Sequence, residues 1–176
     1  FGMHKFFQEN VFVYIHTPVI TTTDCEGAEM FQVTTLDQED LPRNEDGSVD
    51  YRQDFFQKKV FLSGSGQLQV ECTAQAFSKV YTFGPTFRAE RSNTPRHASE
   101  FWHIEPEMAF ADLSDDMDVI EAAVKYVINY VLDTCPQDME FCNQFVDKGL
   151  LERLRHVAGS DFARVTYTDA IKILEE

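Results

Sequence analysis

The sequence predicts an α+β domain in which an antiparallel β-sheet is flanked by helices. Residues 81–90 and 100–110 each alternate between apolar and polar side chains, the pattern of half-buried strands, and a nine-residue polar loop joins them. After residue 114 the apolar residues recur at helical spacing instead. Adjacent strands followed by helices are the pattern expected of this fold class.

The N-terminal segment, residues 6–18, is predicted to be the end of a helix followed by an apolar strand. This strand ends at Pro18, and a proline often ends a strand because it cannot donate a ladder hydrogen bond. An ordinary buried strand would show the same pattern. Residues 36–55 are rich in Asp, Glu, Asn, Gly and Pro, which predicts a loop that separates strands and is able to cover a site.

The two alternating runs have one apolar and one polar face each. The polar parity contains Thr82, Thr86, Arg88, Glu90, Phe101, His103, Glu105 and Glu107. If the runs pair, this parity lines the floor of a cleft. A half-buried sheet with a solvated outer face is the alternative. Pro106 cannot donate to a ladder, so it predicts an edge or a bulge in the second strand.

The content of the polar face suits a nucleoside triphosphate. Arg88 offers a planar fork to phosphate oxygens, and such charge-assisted bonds are stronger than neutral ones. Phe101 offers an adenine its ring face, and Glu90 can accept from an exocyclic amino group. Arg96 and His97, on the joining loop, can close over the outer phosphates. Each of these residues alone indicates a nucleotide site only weakly, but the ordered set indicates one much more strongly.

The C-terminal part, from about residue 114 to 176, is predicted to be helical. Ser114 is the expected N-cap of a first helix that ends at Pro136. Its core stripe comprises Ile120, Val124, Val127, Ile128, Val131 and Leu132. A second helical stretch spans 138–157, with Phe141, Phe145, Leu150, Leu151 and Leu154 facing inward. Thr168 is expected to cap a last helix that runs through Leu174.

Length and composition fit one globular domain. A chain of 176 residues with 43% hydrophobic residues can bury a sizeable core. No apolar run approaches the roughly 20 residues that span a bilayer, and no secretory leader is recognisable, so we expect no membrane association. The four cysteines lack C-x-x-C spacing and a paired histidine, so no zinc or other metal site is predicted.

The run Phe87-Arg88-Ala89-Glu90, with residues 96–101 after it, resembles motif 2 of the class II aminoacyl-tRNA synthetases. Within that class, residues 81–90 and 100–110 are similar to the asparaginyl enzymes of the aspartyl/asparaginyl/lysyl subgroup almost residue for residue. Residues 6–18 resemble motif 1, which builds the class II dimer interface and includes the proline at position 18. The likeness extends from about residue 6 to the end of the chain.

The resemblance implies roles for the residues that match. Arg88 resembles the arginine that contacts the α-phosphate of ATP and stabilises charge during attack by the amino-acid carboxylate. Glu90 resembles the adenine-side carboxylate, Phe101 the ring stacked on adenine, and His97 the loop residue near the terminal phosphates. Such a transfer depends mainly on positioning and charge stabilisation, so no side-chain nucleophile is required.

Residues 61–71 resemble the Ser-Gly-Gln-Leu segment of the asparaginyl enzymes. Aspartyl enzymes are expected to carry a lysine here, because a buried substrate carboxylate needs a cation. This chain has Val70 and then Glu71. An amide NH2 group donates, so an acidic acceptor suits asparagine and repels aspartate, and Glu71 is the candidate acceptor. The alternative is that Glu71 is a solvated strand residue.

The resemblance also implies the rest of an amino-acid pocket. Glu26 resembles the carboxylate that holds the substrate α-amino group, while Ser65, Gln67 and Glu105 complete the pocket. The turn that carries Glu26 is one residue shorter than the family pattern, which usually has a further glycine between Ala28 and Glu29. The exact position of Glu26 therefore depends on how this turn folds.

The activity that the resemblance implies is ATP-dependent ligation of asparagine to its tRNA through asparaginyl adenylate. The expected partners are asparagine, ATP, Mg²⁺ and tRNA for asparagine, in a cytoplasmic homodimer. Two alternatives remain open: an asparagine synthetase related to class II synthetases, and a non-catalytic synthetase-like paralogue.

Residues 1–176 match the catalytic core with motifs 1 and 2. Nothing in the chain resembles the N-terminal OB-fold anticodon domain or motif 3, where the metal ligands are expected. We therefore expect these residues alone to activate asparagine weakly, if at all. The net charge of −15 is unusual for a nucleic-acid binder, but a separate anticodon domain would account for it, because the catalytic core receives only the acceptor end.

Overall fold

The computed structural model describes residues 1–23, 29–92 and 94–175. Contacts divide the chain into two compact units, one formed by Phe1–Asn10 with Ala111–Glu176 and the other by Val11–Phe110. The strands are β1 (Val13–Tyr14), β2 (Ile20–Thr21), β3 (Gln32–Val33), β4 (Val60–Leu62), β5 (Lys79–Phe87) and β6 (Glu100–Met108). The helices are α1 (Gly2–Glu9), α2 (Gln67–Phe77), α3 (Leu113–Thr134), α4 (Pro136–Phe145), α5 (Leu150–Gly159) and α6 (Tyr167–Glu175).

The unit Val11–Phe110 contains a three-stranded sheet in the order β1-β5-β6. Strands β5 and β6 pair antiparallel in unbroken register from Lys79↔Met108 to Phe87↔Glu100, which confirms the predicted pairing of the two alternating runs. In the described part of the chain β6 has a neighbour on one side only, so Pro106 lies on an edge strand as predicted. The unbroken register leaves no bulge there.

Strand β1 pairs in parallel with β5 at Val13↔Val80 and Tyr14↔Tyr81. Both β1 residues are exposed, with 40% and 39% of their surface accessible. The predicted helix followed by a strand is therefore confirmed, but the strand ends at Tyr14 rather than at Pro18. The ordinary buried strand considered as an alternative is wrong. Because the partner strand β5 covers only one side, β1 keeps its other surface accessible.

Helix α2 packs on the end of the β5–β6 pair where Val80 lies. Val70 and Ala74 of α2 form a buried cluster with Val80, and Ile15 and Ala109 pack around it. The sequence suggested a strand in this region, and the strand β4 does precede it, but residues 67–77 are helical. The apolar face of α2 therefore covers one end of the sheet.

The second sheet has the order β2-β4-β3, and its pairs are antiparallel. The predicted loop at 36–55 lies between β3 and β4 and thus separates strands as expected. Buried Asp54 anchors it, because its carboxylate accepts hydrogen bonds from the Thr34 hydroxyl at 2.5 Å and from the Thr35 backbone and hydroxyl. Asp50, also buried, accepts from the backbone N–H and the guanidinium of Arg52.

These two carboxylates make the stability of the loop depend on pH. The Arg52 guanidinium lowers the pKa of Asp50 to about 2, and the Thr34 hydroxyl bond is the main cause that lowers the pKa of Asp54. A lowered carboxylate pKa stabilises the fold above the unfolded value of roughly 4, and this contribution is lost as pH falls through the folded value.

We expect Asp54→Asn to lower the melting temperature by about 3–8 °C near neutral pH, because one carboxylate oxygen becomes an NH2 group, which cannot accept the bond from the Thr34 hydroxyl. The difference from the parent chain should shrink as pH falls from about 4 toward 2. Thermal melts at several pH values test this, with exposed Asp37→Asn as the matched control. A difference that grows on acidification would contradict the expected direction of the pH dependence.

The unit formed by Phe1–Asn10 and Ala111–Glu176 is helical in its described residues. Helix α1 packs on α3, with the ring centroids of Phe6 and Tyr126 5.4 Å apart. The Tyr126 hydroxyl donates to Glu9 at 3.0 Å, and burial is the main cause that raises the pKa of Tyr126. Helix α5 packs on another part of α3.

The beginning of α3 differs from the prediction. Asp112 is the N-cap, since its side chain accepts from the backbone N–H groups of Ser114 and Asp115, and the Asp115 side chain accepts in return from Asp112 N–H. The prediction that Ser114 caps this helix is wrong. An ionised carboxylate two residues earlier satisfies the free N–H groups and also favours the positive end of the helix dipole.

Asp112→Ala is expected to lower the free energy of unfolding by about 1 kcal/mol, because it removes both cap hydrogen bonds. Urea unfolding followed by circular dichroism at 222 nm measures the change. Asp116→Ala removes a carboxylate from the same first turn without removing a cap, so it serves as the matched control. If the two substitutions lowered the free energy of unfolding equally, the stabilisation would come from negative charge near the helix dipole and not from the cap hydrogen bonds.

The predicted second helix is two helices. Gly149 has a φ of +85° and separates α4 from α5, and Pro136 begins α4 as well as ending the preceding pattern. Phe141 and Phe145 are 59% and 66% exposed, so the prediction that they face inward is wrong in this structure. The break at Gly149 turns the chain, and the apolar stripe of the two halves is no longer continuous.

Two further expectations for the helices are corrected. Ile120 and Val124, assigned to the core, are 50% and 39% exposed, because the stripe of α3 is wider than the surface that its neighbouring helices cover. The last helix is capped by Thr166 rather than Thr168: the Thr166 hydroxyl accepts from the N–H of Asp169 at 3.2 Å and donates to its carboxylate. The helix therefore begins at Tyr167.

Candidate active site

One face of the β5–β6 pair carries the predicted polar side chains together. Directly opposed residues of antiparallel strands point to the same face, and the register pairs Thr82 with Glu105 and Thr86 with Phe101. Between these pairs, Gly84 lies opposite His103. The sequence prediction that the two polar parities share one face is confirmed. We call this surface the site face.

The turn Ser63–Gly66 borders the site face. The N–H of Phe87, the last residue of β5, donates to the Ser63 carbonyl at 2.9 Å, which fixes the turn beside the strand end. A Cβ at Gly66 would lie 2.6 Å from the Thr17 hydroxyl and 3.0 Å from a Thr82 methyl. Only glycine therefore allows the start of α2 to approach the sheet this closely.

Glu105 joins this turn to the sheet. Its carboxylate accepts from the Ser65 hydroxyl through one oxygen and from the Gly66 N–H, at 3.0 Å, through the other. The imidazole Nδ1 of His103 lies 3.3 Å from the first of these oxygens. The sequence placed Ser65 and Glu105 in one pocket, and the structure brings them together. The carboxylate therefore lies at the N-terminal end of α2.

Arg88 lies at the other end of the site face. Its Nε donates to the Gly64 carbonyl at 3.2 Å, and its guanidinium carbon lies 5.5 Å from the centre of the Phe101 ring. Its backbone N–H donates to Ser99, which extends the pairing one residue beyond β5. Phe101 therefore contacts the guanidinium, and the centroid of its ring lies 5.6 Å from that of the His103 ring.

Three of the predicted nucleotide contacts lie beyond the end of the strand. Glu90, Arg96 and His97 are exposed, and His97 Nδ1 is hydrogen-bonded to the Ser92 hydroxyl. The strand ends at Phe87 rather than at residue 90, because Ala89 N–H donates to Glu29 and the chain leaves β6 there. The loop is thus longer than the predicted nine residues, and the structure brings none of these three into contact with Arg88.

Gln67 and Glu71 lie one turn apart on α2. The Gln67 amide Nε2 donates to Glu71 Oε1 at 2.9 Å, and both residues are exposed. The alternative was a solvated strand residue: Glu71 is indeed exposed, but it belongs to a helix and not to a strand. With its NH2 group directed at Glu71, Gln67 has its carbonyl oxygen available as an acceptor.

Two of the remaining predicted residues are Pro18 and Glu26. Pro18 is exposed and lines a cavity of about 70 Å³ with Gly66, Thr82 and Glu105 among other residues. Glu26 lies outside the described residues. Within residues 1–23, 29–92 and 94–175 no group of three His, Cys, Asp or Glu side chains is arranged to hold a metal ion, and Cys72, Cys135 and Cys142 are free.

The same described ranges contain no helix with the length and apolar character required to cross a bilayer.

Comparison with known proteins assigns the family. The family model of the class II tRNA synthetases (D, K and N) matches residues 2–176. The chain belongs to this family. It is 64% identical over 177 aligned positions to the asparagine-tRNA ligases of Clostridium botulinum (strain Alaska E43 / Type E3) and Clostridium beijerinckii (strain ATCC 51743 / NCIMB 8052). These alignments cover 100% of the chain but 38% of each relative, so the chain spans less than two-fifths of their length.

Solved structures support the same family assignment. Asparaginyl-tRNA synthetase from Pyrococcus horikoshii complexed with asparaginyl-adenylate matches with a TM-score of 0.75 and 30% identity, over 99% of this chain and 34% of that one. Asparaginyl-tRNA synthetase from Entamoeba histolytica matches with a TM-score of 0.72 and 25% identity, over 99% of this chain and 33% of that one. The class II synthetase fold expected from the motifs is therefore confirmed for the part of that fold that this chain contains.

Sequence reasoning did not assign a role to His103 or Gly84, although both lie on the site face between Arg88 and Glu105. The parity rule placed His103 on the polar face. The signal that was missed is the cross-strand register, because pairing the two runs with Phe87 opposite Glu100 sets Gly84 opposite His103. A glycine there leaves open space above the middle of the site face, since nothing lies within 4 Å of a Cβ built on it.

Proposed function

We propose that this chain supplies part of the catalytic core of an enzyme that ligates asparagine to its tRNA, through an asparaginyl-adenylate intermediate formed from ATP. The observation that carries the proposal is the order of side chains on the site face. An arginine and an aromatic ring occupy one end, and a carboxylate fixed by a glycine-rich turn occupies the other. The relatives support the choice of amino acid, because their names specify asparagine.

The end of the site face that carries Arg88 and Phe101 is proposed to hold ATP. The Phe101 ring stacks on adenine, and Arg88 contacts the α-phosphate, where negative charge increases as the carboxylate oxygen attacks. Glu90, Arg96 and His97 are proposed to complete the contacts when the loop that carries them closes over the nucleotide. Their exposed positions leave their hydrogen-bonding groups accessible to a ligand.

The end that carries Glu105 is proposed to hold asparagine. Glu105 and Ser65 are joined to each other at the start of α2, and Gln67 follows at the first position of that helix. Glu71 orients the Gln67 amide, so that the Gln67 carbonyl oxygen can accept from a substrate N–H group. Glu26 is proposed to contact the substrate ammonium group, as the motif implies.

In the reaction, an oxygen of the asparagine carboxylate bonds to the α-phosphorus as the bond to the bridging oxygen breaks, and pyrophosphate leaves. Arg88 stabilises the charge on the transferred group without exchanging a proton. Mg²⁺ is proposed to accompany the phosphates of ATP, where it would neutralise charge. The 3′-terminal ribose hydroxyl of the tRNA then attacks the activated carbonyl, and AMP leaves.

The proposed enzyme is a cytoplasmic homodimer that uses the residues around Pro18 at its interface. The exposed strand β1 supports this part of the proposal, because Val13 and Tyr14 present apolar surface beside that proline. Sedimentation of the native-length protein with and without Val13→Glu tests it, and a dimer unaffected by the charge would place the interface elsewhere.

ATP–pyrophosphate exchange on the native-length protein tests the proposed activity. We expect exchange that depends on asparagine and is at least about 100-fold weaker with aspartate, because the Glu105 carboxylate, whose side chain is only 10% exposed, would repel a second carboxylate. Exchange with aspartate instead would indicate an enzyme that activates aspartate, such as an asparagine synthetase. Exchange with neither amino acid would indicate a non-catalytic paralogue.

A further inference from the structure

His103 occupies the middle of the site face, between the proposed ATP and asparagine ends. It is two residues from Phe101 and two from Glu105, and side chains two apart on a strand are about 6.6 Å apart along the same face. Opposite it lies Gly84, which has no side chain and leaves the space above it open. The imidazole therefore borders the space where the two proposed substrates would meet.

The two edges of the imidazole have different surroundings. Nδ1 is fully shielded from solvent, yet 34% of the side chain is exposed, so the exposed surface belongs to the rest of the ring. Nδ1 lies 3.3 Å from Glu105 Oε1, but the alignment is not that of a hydrogen bond, and Nδ1 has no hydrogen-bond partner in the described part of the chain. A small rotation of the ring would align this pair.

The groups that His103 faces favour one tautomer of its neutral ring. A carboxylate only accepts, so a favourable contact with Glu105 requires the proton on Nδ1. In the neutral imidazole, Nε2 is then the acceptor. The bound amino acid brings two donor groups, its ammonium and its side-chain NH2, and an acceptor beside the open space above Gly84 suits either of them.

Glu105 depends on few other groups for its orientation. Ser65 and Gly66 hold its two oxygens from the side of the turn. From its own strand, His103 brings Nδ1 to within 3.3 Å of Glu105 Oε1. We propose that His103 is a positioning residue: through Nδ1 it orients the Glu105 carboxylate, and it thereby sets the affinity for asparagine and the discrimination against aspartate.

This inference rests on the proposed function, and its test is a set of three substitutions in the native-length protein. His103→Asn keeps an amide donor near the position of Nδ1. His103→Gln carries its amide closer to the position of Nε2, and His103→Phe keeps a ring but removes both nitrogens. His156→Phe, at an exposed histidine of α5, is the matched control for loss of an imidazole.

In asparagine-dependent pyrophosphate exchange, we expect His103→Phe and His103→Gln to raise the KM for asparagine about 10- to 100-fold, the range for the hydrogen bond to a charged group that the aligned His103–Glu105 pair would form. The KM for ATP should change less than about threefold. His103→Asn should stay within about fivefold of the parent for asparagine. The ratio of kcat/KM for asparagine over aspartate should fall in His103→Phe and be largely kept in His103→Asn.

A double-mutant cycle with Glu105→Gln gives a readout that a purely structural role would not change. If His103 acts through Glu105, the effect of His103→Phe on the KM for asparagine should be less than about threefold when position 105 already carries glutamine. Full additivity would overturn the inference, as would an unchanged asparagine KM in His103→Phe. An asparagine KM in His103→Asn as high as in His103→Phe would also overturn it.

The variants also separate this inference from the proposed function. If the parent protein shows no exchange with asparagine, the proposed function fails. If the parent is active and the His103 variants keep its asparagine KM, only the role of His103 fails. If His103→Phe does not fold, His103→Asn and His103→Gln still decide the question. Both side chains are polar amides that differ only in length. Their asparagine KM values can be compared once thermal melts show that the two variants are equally stable.

Discussion

Replacing Arg88 with alanine in the native-length protein is expected to reduce asparagine-dependent pyrophosphate exchange about 100- to 1000-fold, the typical cost of removing one group that stabilises transition-state charge. The guanidinium lies over Phe101 and is held by the Gly64 carbonyl, so it is oriented before any substrate arrives. An oriented donor loses little free energy to reorganisation during the reaction.

Two further variants show which property of Arg88 matters. Arg88→Lys keeps the charge but lacks the planar fork, and we expect it to retain less than about a tenth of the activity. Arg155→Ala, at an exposed arginine of α5, should leave exchange unchanged. If Arg88→Ala kept more than about a tenth of the parent activity, the site face would not be the place where the proposed transfer of the adenylyl group occurs.

The site face illustrates what a sequence can reveal. Alternation placed Arg88, Phe101 and Glu105 on one parity of two runs, and the structure pairs these runs in the register that brings that parity together. This prediction needed only the period of a strand and the assumption that neighbouring runs pair. The resemblance to motif 2 then supplied the chemistry that the parity itself does not specify.

The turn and helix that border the site face show where this reasoning stops. Glu71 lies on α2, and its bond to Gln67 exists because residues four apart share a helical face. The sequence of this segment has no clear helical stripe that would distinguish a helix from a strand. Gly66 is explained only by the atoms of Thr17 and Thr82, which are distant in sequence and close in the fold.

The helical unit shows a different limit. The apolar stripe of α3 predicted a helix correctly, but the stripe does not reveal how much of it the neighbouring helices cover, so Ile120 was wrongly assigned to the core. The predictions of the N-cap residues were wrong for a simpler reason. Asp112 and Ser114 are both good N-cap residues, and only the backbone N–H groups that each can reach decide between them.

Two glutamates are candidates for the acidic group that is proposed to select asparagine, and a matched pair of isosteric substitutions distinguishes them. The sequence favoured Glu71, whereas the structure places Glu105 on the site face with both oxygens engaged by Ser65 and Gly66. We expect Glu105→Gln to raise the KM for asparagine about 30- to 100-fold, because a glutamine NH2 would oppose the substrate amide and one of the bonds to the turn would be lost.

Glu71→Gln is expected to raise the KM for asparagine less than about fivefold, since Glu71 is exposed and acts through the Gln67 amide. Exchange kinetics with asparagine and with aspartate measure both variants under the same conditions. Glu105→Gln should also weaken the discrimination against aspartate, because the negative charge that repels the substrate carboxylate is gone. The reverse order of effects would assign the direct contact to Glu71, and a substrate pocket built on α2 would then replace the one built on the site face.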